Sequence, residues 1–370
     1  MRVHRLVLKN FRNYETFDQT FDRQVIIFRG ANAQGKTNVL EALYMLSIAK
    51  SHRTNRDRDC IRWGAPFAVM KATVERKSDR HRLEVQLSPK GKKVKRNGVE
   101  QRRLSDYLGT LNAVMFAPED LSIVKGRPEM RRRFLDMSIS QVTPTYVHHL
   151  SRYNKVLAQR NHLLKSMWQT KATAPLLDVL NEQLVTAGVH VLLKRVEFIR
   201  KIESWAQDIQ AHITNGHERL QLSYRTFVDD IEQKDESALR EEYYALLKSR
   251  EAKERERGST LIGPHRDDVT FTVNDIDVQT FGSQGQQRTT ALSLKLAEIE
   301  LVYEVIGEYP ILLLDDVLSE LDVTRQTHLI HSIRGKVQTF VTTTSTDGID
   351  ERTLRDASVY DVERGNVRCG

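Results

Sequence analysis

One eight-residue segment near the N-terminus constrains this chain more than any other feature. Residues 30–37 read Gly-Ala-Asn-Ala-Gln-Gly-Lys-Thr and match the pattern G-x-x-x-x-G-K-[ST] at every position. An apolar stretch typical of a buried strand, residues 24–28, precedes the segment, and apolar residues recur at helical spacing over residues 36–48. A glycine-containing turn between a strand and a helix directs successive backbone N–H groups towards phosphate oxygens. The segment therefore predicts a nucleotide-binding P-loop in an α/β fold.

The positions of this P-loop have separate expected roles. Lys36 is expected to reach the β and γ phosphates of a nucleotide, and the Thr37 hydroxyl is expected to be a ligand of Mg²⁺. The other positions are expected to surround the phosphates with their backbone, and they are Gly30, Ala31, Asn32, Ala33, Gln34 and Gly35. The predicted cofactors are therefore ATP and Mg²⁺.

A second motif supplies the carboxylates that such a site needs. Four apolar residues, 311–314, precede Asp315 and Asp316, which indicates a buried strand that ends in two acids. We expect Asp315 to hold Mg²⁺ through water, and Asp316 to be the catalytic residue that orients or deprotonates the attacking water. A buried strand that only ends in a polar turn would show the same pattern, but the P-loop upstream favours the functional interpretation.

A third segment, residues 281–287, is a glycine-containing turn that opens a helix over residues 284–307. Since a helix N-terminus attracts anions, this turn can face phosphate through Ser283, Gln284, Gly285 and Gln286. The sequence Ser-Glu-Leu-Asp at residues 319–322 follows the acidic pair. This order of motifs resembles the ABC-type ATPases, in which the signature turn of one subunit closes over the γ-phosphate held by another subunit. The resemblance implies an ATP-dependent homodimer.

The middle of the chain has a different pattern. Apolar residues recur every three or four positions from Tyr146 to Ile209, with a break at residues 169–175, which predicts two long helices. These helices form either an intramolecular hairpin or a leucine zipper for a partner. Residues 67–75 and 81–87 alternate like antiparallel strands, and residues 271–280 are also interpreted as strands.

The predicted fold class is α/β, an ABC-type ATPase head with a mixed sheet. The head is expected to comprise residues 1–120 and 258–370, interrupted by a helical insertion domain (lobe II) over residues 121–257 that contains the long helical hairpin.

Besides the P-loop, several further segments share one narrower resemblance that spans essentially the whole chain, and they are residues 10–14, 51–54, 118–120, 128–136, 263–268 and 313–322. These segments resemble the RecF family of bacterial recombination mediators. The resemblance implies a weak, DNA-stimulated ATPase that acts as a dimerisation switch and clasps DNA at single-strand gaps, in recombinational repair and replication restart. It also implies the RecR and RecO mediators and the RecA recombinase as partners.

Three departures from the ABC pattern suggest slow hydrolysis. Asp316 stands where ABC ATPases carry a catalytic glutamate, and threonines and a serine at residues 342–345 stand near the place of the switch histidine. No obvious glutamine occupies the metal-sensing loop, where residues 118–120 can substitute. A shorter carboxylate and the lack of a histidine suit a protein in which slow ATP hydrolysis sets the lifetime of a bound state, rather than one in which rapid hydrolysis drives movement.

The balance of charged residues gives information about the binding partner of the chain. The 57 lysines and arginines exceed the 49 acidic residues by 8, which indicates either an anionic partner such as nucleic acid or ordinary solubility. The densest cations lie in a predicted hairpin and are Lys92, Lys93, Lys95 and Arg96. We expect them to contact the DNA backbone, with solubility as the alternative. Because no helix-turn-helix or zinc-finger pattern occurs, the binding should not depend on DNA sequence.

Other charged residues have structural alternatives. In the triplet Arg131, Arg132 and Arg133, one or two side chains are expected to pair with carboxylates inside the head, unless the triplet is a solvated helix face. His265 either bonds a turn or lies on the nucleotide side.

Composition and length count against some classes of protein. Two cysteines, Cys60 and Cys369, cannot form a disulfide framework, and neither a signal-length apolar stretch nor a run of 18 apolar residues occurs. We therefore expect a cytoplasmic protein without a membrane partner. The alternative function is an ATP-driven nuclease of the overcoming-lysogenization type or another SMC-like head of unrelated role. The length argues against the nuclease, which would need an added metal-carboxylate domain, whereas only a short tail after Asp347 is expected to remain. A transporter ATPase would carry the glutamate–histidine pair that is missing here.

Overall fold

The computed structural model describes residues 1–166, 174–317, 322–346 and 351–369. Its strands are, in chain order, β1 (Arg2–Phe11), β2 (Tyr14–Thr20), β3 (Val25–Arg29), β4 (Ala68–Glu75), β5 (Arg80–Ser88), β6 (Gly91–Arg96), β7 (Val99–Glu100), β8 (Ala113–Phe116), β9 (Leu220–Arg225), β10 (Asp268–Val273), β11 (Ile276–Asp277), β12 (Ile311–Asp315), β13 (Thr339–Thr343), β14 (Ala357–Glu363) and β15 (Asn366–Cys369). Its helices are α1 (Lys36–Ile48), α2 (Leu121–Lys125), α3 (Pro128–Val142), α4 (Pro144–Ser166), α5 (Ala174–Ile213), α6 (Glu236–Arg257), α7 (Val278–Phe281), α8 (Gln284–Ile306), α9 (Val323–Ile333) and α10 (Glu351–Asp356). Short 3₁₀ helices include Asp57–Cys60 and Pro118–Asp120.

A mixed sheet forms the centre of the head, with the strand order β15-β14-β3-β13-β12-β8. All neighbouring strands are parallel except β14 and β15. Every residue of β12 is buried, because both faces of the sheet are covered. The carboxyl ends of β3, β12, β13 and β8 lie along one edge, which is where ligands bind in open parallel sheets.

A second sheet is antiparallel and has the order β2-β1-β4-β5-β6-β7. Helix α1 lies between the two sheets, since its apolar residues share one core with the inner faces of both. The opposite face of the mixed sheet packs against α8 and α9, through residues such as Leu292, Leu296 and Leu329. The expected ABC-type head with a mixed sheet is confirmed.

Helices α2–α6 form a second body together with the small sheet β11-β10-β9. The apolar residues of α4 and α5 are buried in one shared core, which supports the intramolecular hairpin over a zipper. The break at residues 169–175 lies mostly outside the described residues. Helix α8 contributes Leu294 and Leu301 to this core and Leu296 to the head, so it joins the two bodies. The division at residues 120 and 258 stays a prediction.

One helix of the described residues, Pro175–Ile213, is long and apolar enough to cross a membrane by length and composition. In its most apolar window, 56% of the residues are buried inside the fold. The core packing of α5 accounts for this apolar character.

The expectation of strands over residues 271–280 is wrong for residues 278–280. Strands β10 and β11 occupy the first part, but Val278–Phe281 is the short helix α7. The carboxylate of Asp277 accepts a 2.7 Å hydrogen bond from the backbone N–H of Thr280 and thereby caps this helix.

Candidate nucleotide-binding site

The P-loop backbone is held in a conformation that requires glycine at two positions. A Cβ atom at Gly30 would lie 2.3 Å from the carbonyl oxygen of Val362 in β14. Gly35 caps α1 with a φ of 116°, where a Cβ atom would lie 2.5 Å from the Asn13 side chain. The loop therefore fits tightly between its neighbours.

Polar contacts from two turns brace the loop. From the β1–β2 turn, Asn13 Nδ2 donates to the Gln34 carbonyl at 2.9 Å, and the Tyr14 hydroxyl donates to the Gly35 carbonyl at 3.1 Å. From the β14–β15 turn, the backbone N–H of Gly365 donates to the same Gln34 carbonyl at 3.1 Å. These bonds preorganise the loop without using its outward N–H groups.

The two main motifs meet at one carboxylate. Asp315 Oδ1 accepts hydrogen bonds from Thr37 Oγ1 at 2.8 Å and from Thr342 Oγ1 at 2.7 Å. Thr342 lies at the end of β13, directly opposite Asp315 in the parallel register. Thr342 was not among the expected site residues, although residues 342–345 stand near the place of the switch histidine in the sequence.

Asp316 follows in an unusual backbone conformation. Its φ is 55°, in the left-handed region that residues other than glycine seldom adopt. Its backbone N–H donates to Thr342 Oγ1 at 3.0 Å, so the same hydroxyl orients both acids. Such strain concentrates at functional sites.

These residues enclose a polar cavity of about 260 Å³. Its lining residues are Asn32, Ala33, Gly35, Lys36, Thr37, Asn38, Arg53, Asp315, Asp316 and Thr342. Lys36 Nζ donates to the carbonyls of Gly30 at 2.6 Å and Ala31 at 2.9 Å. Arg53, which follows α1, brings a second cation to this cavity, and sequence analysis did not assign it there.

Burial shapes the charges in the cavity. It lowers the pKa of Lys36, against the opposing effect of Asp316 and Asp315. It raises the pKa of Asp315, although the bonds from Thr342 and Thr37 act in the opposite direction. An anionic ligand beside Lys36 and a cation beside Asp315 would both be stabilised here.

Comparisons with known proteins agree with this geometry. Residues 2–366 match the family described as RecF/RecN/SMC N terminal domain. The DNA replication and repair protein RecF of Halalkalibacterium halodurans is 56% identical over 368 residues, which cover 100% of this chain and 99% of that protein. Its counterpart of the same name from Bacillus cereus (strain G9842) is 53% identical, with 100% and 99% covered.

The chain belongs to the RecF family. A solved structure of the recombination mediator protein RecF-ATP in the RecFOR pathway superposes with a TM-score of 0.92 at 31% identity, covering 100% of this chain and 97% of that one. An Smc head bound to the C-terminal winged-helix domain of ScpA reaches a TM-score of 0.55 at 15% identity, covering 100% and 98%, and shows the shared fold alone.

In this RecF-family chain, Glu119 of the segment expected to replace the metal-sensing glutamine lies near Asp315, although residues 118–120 do not line the cavity. Residues Pro118–Asp120 follow β8, whose Phe116 is in register with Leu314 of β12. The Glu119 carboxylate is close enough to raise the pKa of Asp315. The position fits a metal-sensing role, which stays a prediction.

The glycine-containing turn at residues 281–287, called the signature turn from here on, leads into the N-terminus of helix α8. The backbone N–H of Gln286 donates to Ser283 Oγ at 3.2 Å, and the backbone N–H of Ser283 donates to Gln286 Oε1 at 2.9 Å, a capping box. Ser283 and Gln284 are exposed, and the P-loop cavity is lined by other residues. The structure of one chain therefore does not bring the signature turn and the P-loop together.

The Ser-Glu-Leu-Asp turn lies outside the described residues except for Asp322. Asp322 caps α9 by accepting a 3.0 Å bond from the backbone N–H of Arg325. The Arg325 guanidinium also pairs with Asp322 and donates to the Gly285 carbonyl at 3.1 Å and to Thr289 Oγ1 at 2.7 Å. Arg325 thus joins the N-terminus of α9 to the first turns of α8.

The lysines of the basic hairpin form ion pairs in the structure. Lys92 pairs with Asp57 at 3.0 Å, Lys93 with Glu100 at 3.3 Å, and Lys95 with Glu84 at 3.0 Å. Surface ion pairs of this kind contribute little to the stability of the fold, so a DNA phosphate can replace the carboxylate beside each lysine. Contact with DNA by this hairpin, including Arg96, stays a prediction.

Two expectations about other charged residues can be checked. Arg131 forms a bidentate pair with Asp268 at 2.6 and 2.8 Å, so one arginine of the triplet has a carboxylate partner, but the pair lies in the helical body and not inside the head as expected. His265 contacts the Tyr153 hydroxyl through Nδ1 at 2.6 Å and the Thr260 carbonyl through Nε2 at 3.2 Å. These contacts lie within the helical body and support the turn-bonding role of His265.

Proposed function

We propose that this chain is an ATP-dependent DNA-binding protein of recombinational repair and replication restart. ATP would drive two heads together, and the dimer would clasp DNA and help to load a recombinase at single-strand gaps. The observation that carries the proposal is the convergence of Thr37, Asp315 and Thr342 beside the P-loop. In support, the relatives above are named DNA replication and repair proteins, and the solved relatives are RecF-ATP and RecF-ATPrS in the RecFOR pathway.

Residues of the cavity fit Mg²⁺ with ATP. Asp315 is only 7% exposed and has a raised pKa, so it is an acid that lacks a full counter-charge. Thr37 and Asp315 present the oxygen atoms that Mg²⁺ prefers, and they would hold it directly and through water. Bound Mg²⁺ would neutralise charge on the β and γ phosphates. Lys36 would leave the carbonyls of Gly30 and Ala31 for the same phosphates.

Asp316 would position the attacking water. Its left-handed backbone, fixed by Thr342, aims a short carboxylate from the end of the central strand. Without a switch histidine, no neutral imidazole assists that water, which suits slow turnover. We infer a weak ATPase whose hydrolysis releases the dimer and which DNA stimulates.

The signature turn would act on a second subunit. The exposed N-terminus of α8 offers backbone N–H groups and a positive dipole to an anion, while Ser283 keeps the turn ordered through the capping box. In a dimer, this turn would contact the γ-phosphate bound by the partner's P-loop. Each site would then be complete only when two chains meet.

The RecF family also implies the DNA ligand, the mediator proteins and the cellular compartment. We infer backbone contacts to single-strand gaps or duplex DNA without sequence preference, with the basic hairpin as the first candidate surface. RecR, RecO and the RecA recombinase are the partners that the RecF family implies, and the cytoplasm is the compartment.

Gel filtration tests this proposal directly. The protein is run with ATP, with ADP and without nucleotide, each with and without duplex and gapped DNA. A dimer that forms with ATP alone and elutes with DNA is expected, whereas a monomer under all conditions would overturn the dimer switch. Lys36→Ala should stay monomeric, because the phosphates lose a charge-assisted contact of about 1.5–3 kcal/mol. Lys253→Ala, at an exposed position of α6, is the matched control that should dimerise normally.

A further inference from the structure

The most exposed large apolar side chain among the described residues is Trp63, which is 98% exposed. Tryptophan is usually well buried, so full exposure is informative. Trp63 occupies the second position of a tight turn in which the backbone N–H of Ala65 donates to the Arg62 carbonyl at 3.0 Å. Gly64 follows with a φ of 78°, as a type II turn requires.

Hydrogen bonds and an ion pair fix this turn to the rest of the protein, so the fold itself exposes Trp63. The backbone N–H of Arg62 donates to the Asn10 carbonyl at 2.8 Å, and its guanidinium pairs with Glu15 at 3.1 Å. Ile61 forms a β-bridge with Phe11 of β1. The backbone therefore holds the indole away from the protein.

The register of the antiparallel sheet places the β5–β6 turn, which carries Lys90, at the same end of the sheet as Trp63. Strand β4 begins at Ala68, shortly after Trp63, and Ala68 is opposite Leu87 of β5. Leu87 is in turn opposite Lys92 of β6, so the β5–β6 turn with Lys90 lies at this end. The Lys92–Asp57 ion pair at 3.0 Å joins the turn and the segment that precedes Trp63.

Cations outnumber acids among the exposed charged residues that lie near Trp63 in the sequence or in the sheet register. Arg56, Arg58 and Lys90 are exposed. The nearby acids contact other residues of the protein: Asp57 pairs with Lys92, and Asp59, which is itself exposed, accepts a 2.7 Å bond from Thr54 Oγ1 through Oδ2. The Trp63 surface, defined as Arg56, Arg58, Trp63 and Lys90, thus combines a flat aromatic ring with exposed cations.

We propose that the Trp63 surface binds the single-stranded part of a DNA gap, with the indole stacked on an unpaired base and the three cations at neighbouring phosphates. An aromatic side chain within a basic surface is how proteins hold single strands without reading sequence, because every base has a π-face. A protein partner would bury the indole in an apolar pocket, and the cations of this surface favour a polyanion instead. The inference rests on the proposed function, since it takes DNA as the ligand.

Stacking can be measured through the fluorescence of Trp63 itself. Trp205 and Trp168, the latter outside the described residues, are replaced by Phe, so that Trp63 is the only tryptophan left. Titration with a single-stranded oligothymidine should quench its emission. A blunt duplex of the same length, whose bases are already stacked, should leave the emission nearly unchanged.

Affinity for gapped DNA provides the second measurement. Trp63→Ala should weaken binding to gapped DNA and single strands by about tenfold or more, and should leave binding to blunt duplex unchanged. Trp63→Phe should retain most of the affinity because it keeps a π-face. Arg58→Ala should lower the slope of log K against log salt for single strands by about 0.7, whereas Trp63→Ala should keep the slope. Tyr303→Ala, which removes a partly exposed aromatic ring on α8, is the control.

Three outcomes would overturn the proposal. Equal affinity of Trp63→Ala and the parent for gapped DNA, with the parent binding well, refutes stacking and leaves the proposed function intact. Loss of ATP-dependent dimerisation in Trp63→Ala, measured without DNA, would assign this surface to the contact between two copies. Absence of DNA binding by the parent would refute the proposed function and this inference together.

Discussion

Thr37 Oγ1 lies 2.8 Å from Asp315 Oδ1, although 278 residues separate them along the chain. The bond joins the start of α1 to the end of β12, and Thr342 adds a third group from β13. Helix α1 and the neighbouring strands β12 and β13 of the mixed sheet therefore fix one carboxylate. A site that depends on these contacts should respond to side-chain changes that leave the fold intact.

Asp316→Asn should keep nucleotide binding and slow hydrolysis. The amide has nearly the same shape and can occupy the left-handed backbone, since asparagine tolerates a φ near 55°. It cannot accept a proton from water, so the ATP-bound dimer should accumulate. Steady-state phosphate release and gel filtration with ATP measure the two effects. Hydrolysis at the parental rate would show that Asp316 does not position the water.

Replacing Lys92, Lys93 and Lys95 together by alanine should reduce the salt dependence of DNA binding. Each lost phosphate contact lowers the slope of log K against log salt by about 0.9 for duplex DNA. Fluorescence anisotropy over a range of salt concentrations gives this slope.

Two lysines of α5 offer a control for the hairpin. Lys194 and Lys201 also form surface ion pairs, both with Glu197, but lie in the helical body. Their replacement by alanine should not change the slope. An unaltered slope in the hairpin variant would assign the DNA contacts to another surface.

His265 should make the stability of the helical body depend on pH. Burial lowers its pKa to about 4, against about 6.5 for a free histidine. Between these values the unfolded chain binds a proton that the folded chain does not, so the free energy of unfolding falls as the pH falls. From pH 7 to pH 5 this group alone should cost about 2 kcal/mol.

The contribution of His265 can be separated from that of other groups. His52 also has a pKa lowered to about 4, whereas Asp267 has one raised to about 6 and acts in the opposite direction. The measurement is therefore the difference between the parent and His265→Gln in urea unfolding at pH 7 and pH 5. A glutamine side chain does not titrate, so this variant should lose less stability than the parent over the interval. Equal losses in both proteins would contradict a neutral, buried His265.

The parts of the fold that were predictable from sequence are those with strong local signals. The helix expected over residues 36–48 is α1 (Lys36–Ile48), and the buried strand expected to end at Asp315 is β12. Both signals are local, because a P-loop fixes where its helix begins and a strand covered on both faces must be apolar. The order of the strands in the sheet was not predicted from the sequence.

The parts that were missed depend on register between distant segments. The role of Thr342 exists only because β13 places it opposite Asp315. The ion pair of Lys95 with Glu84 likewise follows from their facing positions in β5 and β6. Strands β14 and β15 carry partly exposed residues and give no strong pattern, yet β14 completes the wall against Gly30. Periodicity within one segment does not encode such pairings.

Two variants, Ser283→Arg and Lys36→Ala, together test whether the signature turn acts across the dimer. Ser283→Arg should leave ATP binding by the monomer intact and block dimerisation, because the bulk would meet the partner's nucleotide. Lys36→Ala should fail earlier, at nucleotide binding. Each homodimer of either variant has two damaged sites, so neither protein alone should hydrolyse ATP.

Mixing the two variants should restore activity. In a mixed dimer, the arginine of one chain faces the P-loop that lacks Lys36, so both defects fall in one site and the other site is normal. ATPase activity should peak near equal proportions and rise with total protein concentration, because the heterodimer is the active species. Association of the mixture on gel filtration with ATP, which neither variant shows alone, reports the contact independently of hydrolysis. Association without activity would mean that the two sites must act together. Failure of the mixture to associate, with parental protein dimerising under the same conditions, would contradict a contact between Ser283 and the partner's γ-phosphate.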